Sequence, residues 1–260
     1  MNGEYPLGHG AAEIARLAHQ STLYAGHSEH ILRIAGLAPG MRVLDVGCGP
    51  GDLAMLAARL TGPAGSVLGV DASPAAVRLA RDRVAAAGVD NASFTHGVLP
   101  EVDIDAPVDA VIGRLILMHL DDPVSAVRRL AARVRPGGLV IFQEFVVSGM
   151  WAEPDIPLYR EVRDRVVAAL RAAGRDPDFG LRLPGVFRAA GLGDPALTCG
   201  APMSAGSDPA IFQYAVDTLR TLAPAEPATL ADRLREQGER ADAVVFAPAI
   251  VGGWARVPAR

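Results

Sequence analysis

The chain has 260 residues, half of them hydrophobic and 21% charged, with 29 acidic against 25 basic side chains and a net charge of −4. That length and apolar share support a core that needs no disulfide or metal staple and exclude a disordered chain, while the acidic balance argues against an electrostatic nucleic-acid binder. Every basic residue is arginine, which excludes a lysine Schiff base and a P-loop lysine. Cys48 and Cys199, the two cysteines, are too few for a disulfide framework or a zinc cluster and fit reduced thiols in a cytoplasm. No basic start followed by an apolar run is visible. The longest apolar stretches, 108–120 and 243–255, fall short of the roughly 20 residues of a membrane span. The expectation is a soluble, cytoplasmic protein with no membrane partner.

Helical patterning runs over residues 11–35, through Ile14, Leu17, Ala18, Ile31, Leu32 and Ile34, until Gly36 ends it and Pro39-Gly40 turns the chain. Residues 41–46 form a short apolar strand, a glycine-rich turn follows, and 52–60 reads as a helix. A second strand, 66–70, ends at Asp71. Ser73-Pro74 then starts a helix with a hydroxyl N-cap and proline at the first position, and Gly88 closes it. Residues 92–95 and 108–112 are strands three and four. Asp122-Pro123 opens a helix with Val124, Val127, Ala131 and Val134 on one stripe, stopped by Pro136-Gly137-Gly138, and 139–145 is strand five. Further on come an amphipathic helix at 158–173, a short helix at 184–190, a strand at 195–199, a helix at 209–222 and a last strand at 243–255; residues 223–242 read as surface.

Continuous apolar strands alternating with amphipathic helices from 41 to 145 predict an α/β fold, a doubly wound, mostly parallel sheet covered on both faces. The later segments read as additions to the same sheet. One domain is therefore expected over 1–260: an N-terminal helical cap at 1–35, a ligand-binding core at 36–145, a lid insertion with added strand and helices at 146–242, and the last strand at 243–257.

The chemistry lies in Val43-Leu44-Asp45-Val46-Gly47-Cys48-Gly49-Pro50-Gly51, where a strand runs into a glycine turn and a helix. Such a turn lets something approach the backbone closely. The spacing Gly-x-Gly-x-Gly is not the Gly-x-Gly-x-x-Gly of dinucleotide sites. Asp45, two residues before the first glycine, disfavours a pyrophosphate and favours a cationic amine or sulfonium. Asp71, twenty residues after Gly51 at the end of strand two, can accept hydrogen bonds from both hydroxyls of a ribose. A ribose, an amino-acid end and a sulfonium are together the features of S-adenosylmethionine.

On these residues, and on the blocks at 67–71, 109–123 and 135–141, the chain resembles the class I, Rossmann-like S-adenosylmethionine-dependent methyltransferases, nearest the menaquinone/ubiquinone-type and bacterial natural-product branch. The resemblance covers roughly the first 145 residues. It implies a seven-stranded sheet with an antiparallel last strand at 243–255, N-terminal helices and helical insertions forming a lid, and S-adenosyl-L-methionine as cofactor. It implies that Gly47, Cys48 and Gly49 line the methionine and ribose, that Asp45 orients the turn and reaches the amine through water, and that Asp71 holds the ribose with Ala72 against the adenine. Gly97, Val98 and Leu99 would edge the adenine, and the Arg114 carbonyl would meet the amine. Many relatives carry an acidic residue where this chain has Val98, so here adenine recognition rests on apolar packing and backbone. The implied activity is methyl transfer to an O, N or C atom of a small organic acceptor, in secondary or quinone-like metabolism. A methyltransferase-fold cyclase that keeps the cofactor without transferring methyl is the alternative, and a binding or regulatory module is a third reading.

His119 and Glu144 are the candidate catalytic residues. Each has a structural alternative: a packed histidine, and a charged anchor at the ligand-facing edge of strand five. Cys48 is read as a small spacer, since no base is identifiable beside it. The Arg114 side chain reads equally as a core-rim ion pair or a clamp for a substrate carboxylate. His9, His19, His27 and His30 read as solvated, although His27 and His30 have a metal-like spacing. No catalytic metal is expected, because a catechol-type site needs an acid after strand four. The arginines between 160 and 175, interleaved with Glu161 and Asp164, read as a solvated helix face. Tyr5, Tyr24, Phe145, Trp151 and Tyr159 are expected to wall the acceptor pocket. A homodimer is left open.

Overall fold

A computed structural model describes residues 11–259 apart from 100, 102, 103, 105, 207 and 224–226, with side chains from Arg16 onward. The chain divides into two compact units.

The first unit holds Ala25–Glu144, Gly180–Thr198 and the chain from Val251. Its strands are β1 (Arg42–Val46), β2 (Ser66–Asp71), β3 (Ala92–His96), β4 (Val108–Arg114), β5 (Val134–Val146), β7 (Ala196–Gly200) and β10 (Ala249–Arg256). They form one sheet in the order β3-β2-β1-β4-β5-β10-β7. The pairs from β3 to β5 are parallel. β10 runs the other way: the Gly137 N–H donates to the Val257 carbonyl at 2.8 Å and the Val257 N–H to the Gly138 carbonyl at 2.9 Å, joining the start of β5 to the end of β10. The doubly wound, mostly parallel seven-stranded sheet is as expected.

Residues buried on successive positions explain the layers. Val43, Leu44 and Val46 in β1 and Leu139, Val140, Ile141 and Phe142 in β5 are almost wholly hidden, as in strands covered on both faces. Helices α2 (Asp52–Thr61), α3 (Pro74–Ala87), α4 (Pro123–Ala131) and α6 (Leu183–Ala189) bury one stripe each. The expected starts of α3 and α4 hold in detail. The Ser73 side chain accepts from the Ala76 N–H, and Asp122 accepts from the Ser125 N–H. Gly88 closes α3 in the left-handed conformation.

The second unit takes α1 (Ala11–Ala35) as far as Tyr24, then Phe145–Phe179 and Cys199–Ile250. It packs α5 (Pro157–Ala172), α7 (Pro209–Leu222) and α8 (Leu230–Ala241) with a small antiparallel sheet, β6 (Trp151–Glu153), β9 (Val244–Phe246) and β8 (Met203–Ala205). Its core is aromatic: Tyr24 lies 4.8 Å from Phe145 and 6.0 Å from Tyr214, and Tyr159 lies 5.4 Å from Phe212, ring centre to ring centre.

Three readings change, and a fourth, the surface stretch, gains a helix. The stripe through Val134 does not extend α4, which stops at Ala131; Val134 pairs with Val108, and β5 begins there with a register shift before Leu139. The apolar run at 243–255 is two strands in two sheets, because Pro248 cannot donate to a ladder and breaks it between β9 and β10. The later segments do not all extend the main sheet, since β6, β8 and β9 form their own. The stretch 223–242 carries α8, which hides Leu230, Leu234 and Gly238 against an otherwise polar face. Among the described residues no helix is long and apolar enough to cross a membrane.

Candidate functional site

In the main sheet the chain winds outward from β1 to β3, then returns to build β4 and β5 on the other side of β1. The crevice at the C-terminal ends of β1 and β4 is thus the topological switch point, where open α/β sheets take their ligands. The glycine turn, Asp71, Arg114 and Glu144 are all at strand C-termini on this edge.

The turn is held from β2. The Gly47 and Cys48 N–H groups donate to the Val70 carbonyl at 2.8 and 3.1 Å. Asp71 ties the turn to the next helix, with Oδ2 accepting from the Gly49 N–H and Oδ1 from the Ser73 N–H, both at 2.8 Å. Two glycines are required sterically as well as by φ. A Cβ on Gly47 (φ +65°) would stand 2.6 Å from Ile116, and one on Gly51 (φ +86°) 2.9 Å from the Phe94 ring. Beside this turn Ala72 is exposed, Val98 is 61% exposed, and Gly97 closes onto the Asp71 carbonyl through its N–H at 3.0 Å. An open apolar surface therefore flanks Asp71.

Beneath the turn Asp45 is 1% exposed, and its Oδ2 has no partner among the described residues. Burial pushes its carboxyl up to about 8, against the pull of the Arg114 charge, with Asp71 and Asp52 adding to the rise. A cation placed here would reverse that shift. Cys48 is buried and its thiol is pushed up by desolvation and by Asp45 and Asp71. It stays protonated, which agrees with a spacer rather than a nucleophile.

Across the crevice, β4 ends in a tight turn. Leu115 has φ +56°, rare for a residue with a side chain, and its N–H is held by the Gln143 carbonyl at 2.8 Å. A single 3₁₀ turn, Leu117–His119, follows. Glu144, fully buried, receives the Ile116 and Leu117 N–H groups on Oε1 at 3.0 and 2.7 Å. Its Oε2 is buried without a partner among the described residues. Burial pushes this carboxyl up to about 8, although the N–H groups of Leu117, Ile116 and Met118 favour its ionised form. Glu144 thus anchors the turn that carries His119, so the two catalytic candidates are joined through one short segment.

Ser28 and Gln143 were not among the sequence candidates. Arg114 donates to Ser28 Oγ at 3.1 Å, and Ser28 donates to Gln143 Oε1 at 2.8 Å. A polar pair, Gln143-Glu144, inside the apolar run 139–147 was the signal for Gln143. Nothing in the helical pattern singled out Ser28.

Three of the expected aromatic walls, Tyr24, Phe145 and Tyr159, are corrected. Tyr24 and Tyr159 are buried in their unit's core, and their hydroxyls donate to the Pro248 and Phe246 carbonyls, each at 2.8 Å. Phe145 is likewise a core ring against Tyr24. Trp151 is 47% exposed and stacks on Phe246 at 4.3 Å, on the small sheet. Tyr24, Phe145 and Tyr159 fill this unit's core, which takes those three rings out of a wall. Tyr5 and His9 lie outside the described residues. His19 pairs with Asp217 at 3.3 Å, and His27 is half-buried, its pKa lowered by burial and by His30. Among the described residues no group of three or more His, Cys, Asp or Glu side chains could hold a metal ion.

Comparison with known proteins identifies the family and the fold. A family model described as "Methyltransferase domain" matches residues 37–170. The ubiquinone biosynthesis O-methyltransferase of Alkalilimnicola ehrlichii is 40% identical over 115 residues, 44% of this chain and 45% of that protein. The chain spans about half the length of the curated relatives it matches. A SAM-dependent methyltransferase structure from Aquifex aeolicus superposes with a TM-score of 0.52 at 17% identity, covering 88% of this chain and 89% of that one. The 4+2-cyclase SpnF superposes with a TM-score of 0.55 at 20% identity, covering 90% and 81%. At these identities the structures share the fold alone.

Proposed function

Because the chain belongs to the methyltransferase domain family, we propose that it transfers the sulfonium methyl of S-adenosyl-L-methionine to an O, N or C atom of a small organic acceptor. The reading deepens to quinone-like or secondary metabolism by the likeness to a ubiquinone biosynthesis O-methyltransferase. The observation that carries it is the glycine turn closed onto the Asp71 carboxylate at the switch point of the sheet.

The residues fit the cofactor. Asp45 Oδ2, buried and without a partner among the described residues, matches a ligand amine directly or through water. Gly47, Cys48 and Gly49 form a turn that packs against Ile116 at Gly47 and is open at Gly49, where a Cβ would meet nothing within 4 Å. Asp71 has lone pairs left beyond its two backbone bonds for a pair of ribose hydroxyls. Ala72, Val98 and Leu99, next to Gly97, offer the adenine an apolar edge, and the Arg114 carbonyl is the acceptor assigned to the amine. When bound, the cofactor supplies an electrophilic methyl on a positive sulfur.

The chain's own work is then orientation and exclusion of water. Arg114 and Asp45 set the charge beneath the turn. Glu144 fixes the 116–119 segment, and His119 on that segment takes a proton where the acceptor must lose one before attack. Glu144, its carboxyl pushed up to about 8 by burial, adds little negative charge to the crevice at neutral pH, whereas a ligand cation beside Asp45 would draw that carboxyl back to its ionised form.

The test is calorimetric and chemical. The wild type should bind S-adenosylhomocysteine, and Asp71→Ala should weaken that binding at least tenfold, since hydrogen bonds to a charged group contribute about 1.5–3 kcal/mol. Incubation of acceptors with methyl-labelled cofactor should give a product heavier by one methyl. Unchanged binding in the variant, or a product of unchanged mass, refutes the proposal.

A further inference from the structure

Gln143 has a side chain that the reading above leaves unused. It is fully buried at the end of β5, paired in register with Arg114 on β4. Its amide orientation follows from its neighbours. The Arg114 guanidinium can only donate, so its 3.1 Å contact makes Ser28 Oγ the acceptor. The one hydroxyl hydrogen of Ser28 then goes to Gln143 Oε1 at 2.8 Å. The amide oxygen is thereby committed to Ser28, and Nε2, with two N–H donors, is buried with no partner among the described residues. A buried donor without an acceptor is costly, and here an Arg114–Ser28 chain holds it in that one orientation.

Its place in the sheet indicates what the missing partner is. β5 is the second strand from β1, with β4 between. At roughly 4.8 Å per strand, Gln143 lies about 10 Å across the sheet from the glycine turn. Asp71 and the exposed Val98 lie on the opposite side of β1, after β2 and β3. The nucleoside would therefore extend away from Gln143, and what approaches β5 is the molecule receiving the methyl group.

We infer that Gln143 is a specificity-determining residue for the acceptor: Nε2 donates to a carbonyl, carboxylate or phenolic oxygen of that molecule, beside the atom that is methylated. This rests on the methyl-transfer reading. A site built to hydrogen-bond an oxygen rejects an analogue without one, because the protein's donor is then left unpaired. Ser28 and Arg114 are positioning residues that keep the amide from turning over.

The test uses the full chain, labelled with ¹⁵N in its glutamine side chains and saturated with S-adenosylhomocysteine. The Gln143 amide signals are assigned by their loss in Gln143→Leu and followed while acetate, then catechol, is titrated as an oxygen-bearing probe. The expected result is a saturable shift with at least one probe. In Gln143→Glu, which keeps an oxygen for Ser28 but loses the N–H donors, calorimetric affinity for that probe should fall at least tenfold. Should that variant not fold, Ser28→Ala must weaken the same probe. Silence of the Gln143 amide to both probes overturns the inference. So does a shift caused by S-adenosylhomocysteine but not by 5′-methylthioadenosine, which would make the cofactor's carboxylate the partner. If the wild type binds no S-adenosylhomocysteine, the methyl-transfer reading fails. The acetate titration of the ligand-free chain then decides the donor separately: a saturable shift upholds it and silence overturns it.

Discussion

Glu144 separates an anchor from a charge, and two substitutions distinguish them. Glu144→Ala removes the acceptor of the Ile116 and Leu117 N–H groups, now at 3.0 and 2.7 Å. A buried donor left unpaired costs about 1–3 kcal/mol. Leu117 is buried and Ile116 half-buried, so water relieves part of the second cost and the expected loss is about 3 kcal/mol. Glu144→Gln keeps the accepting oxygen and replaces a carboxyl that is mostly neutral below pH 8; as a near-isosteric swap it should cost less than about 1.5 kcal/mol. The pH dependence carries a further sign. The carboxyl is pushed up to about 8 in the folded chain, against about 4.3 when unfolded. Between those values the folded chain binds the proton and the unfolded chain does not. Stability contributed by this group is therefore lost as pH rises toward 8, by up to about 1.4 kcal/mol per unit, and levels off above. Urea unfolding followed by the emission of Trp151 and Trp254, at pH 6 and pH 8, reads both effects. The wild type should lose more stability over that interval than Glu144→Gln. The reasoning fails if Glu144→Ala is within about 1 kcal/mol of the wild type, if the glutamine costs as much as the alanine, or if the pH slopes coincide.

In the proposed site, ligand binding should depend on pH through Asp45. Its carboxyl, also raised to about 8 by burial, must ionise to pair with a ligand ammonium. S-adenosylhomocysteine affinity measured by calorimetry should therefore rise from pH 6 to 8 with proton release, and Asp45→Asn should flatten the profile. Gly47→Ala places a Cβ 2.6 Å from Ile116 at φ +65°; it should lower cofactor affinity and cost at least 1–2 kcal/mol from the left-handed backbone alone, whereas a Cβ on Gly49 meets nothing within 4 Å. Brief treatment with iodoacetamide at pH 7.5 should label the exposed Cys199 and leave Cys48 unmodified, giving a single mass addition; rapid double labelling would contradict the protonated, hidden state of Cys48.

The main sheet, the glycine turn and the strand end at Asp71 were legible in the residue order because their determinants are local. A buried parallel strand needs a short apolar run, a left-handed turn needs glycine, and a helix start needs a cap. Val43–Val46, Gly47 and Ser73-Pro74 each satisfy a rule that spans only a few neighbours. What tertiary structure alone decided depends on groups far apart in the chain. Burial makes Asp45 and Glu144 weak acids, Gln143 is oriented through Ser28, 115 residues away, and Tyr24 and Tyr159 are drawn into a core rather than a pocket wall. The run 243–255 is apolar throughout, so periodicity could not show that Pro248 sends its halves to different sheets. Hydrogen-bond partners and desolvation are properties of the packed chain, and no spacing within a segment encodes them.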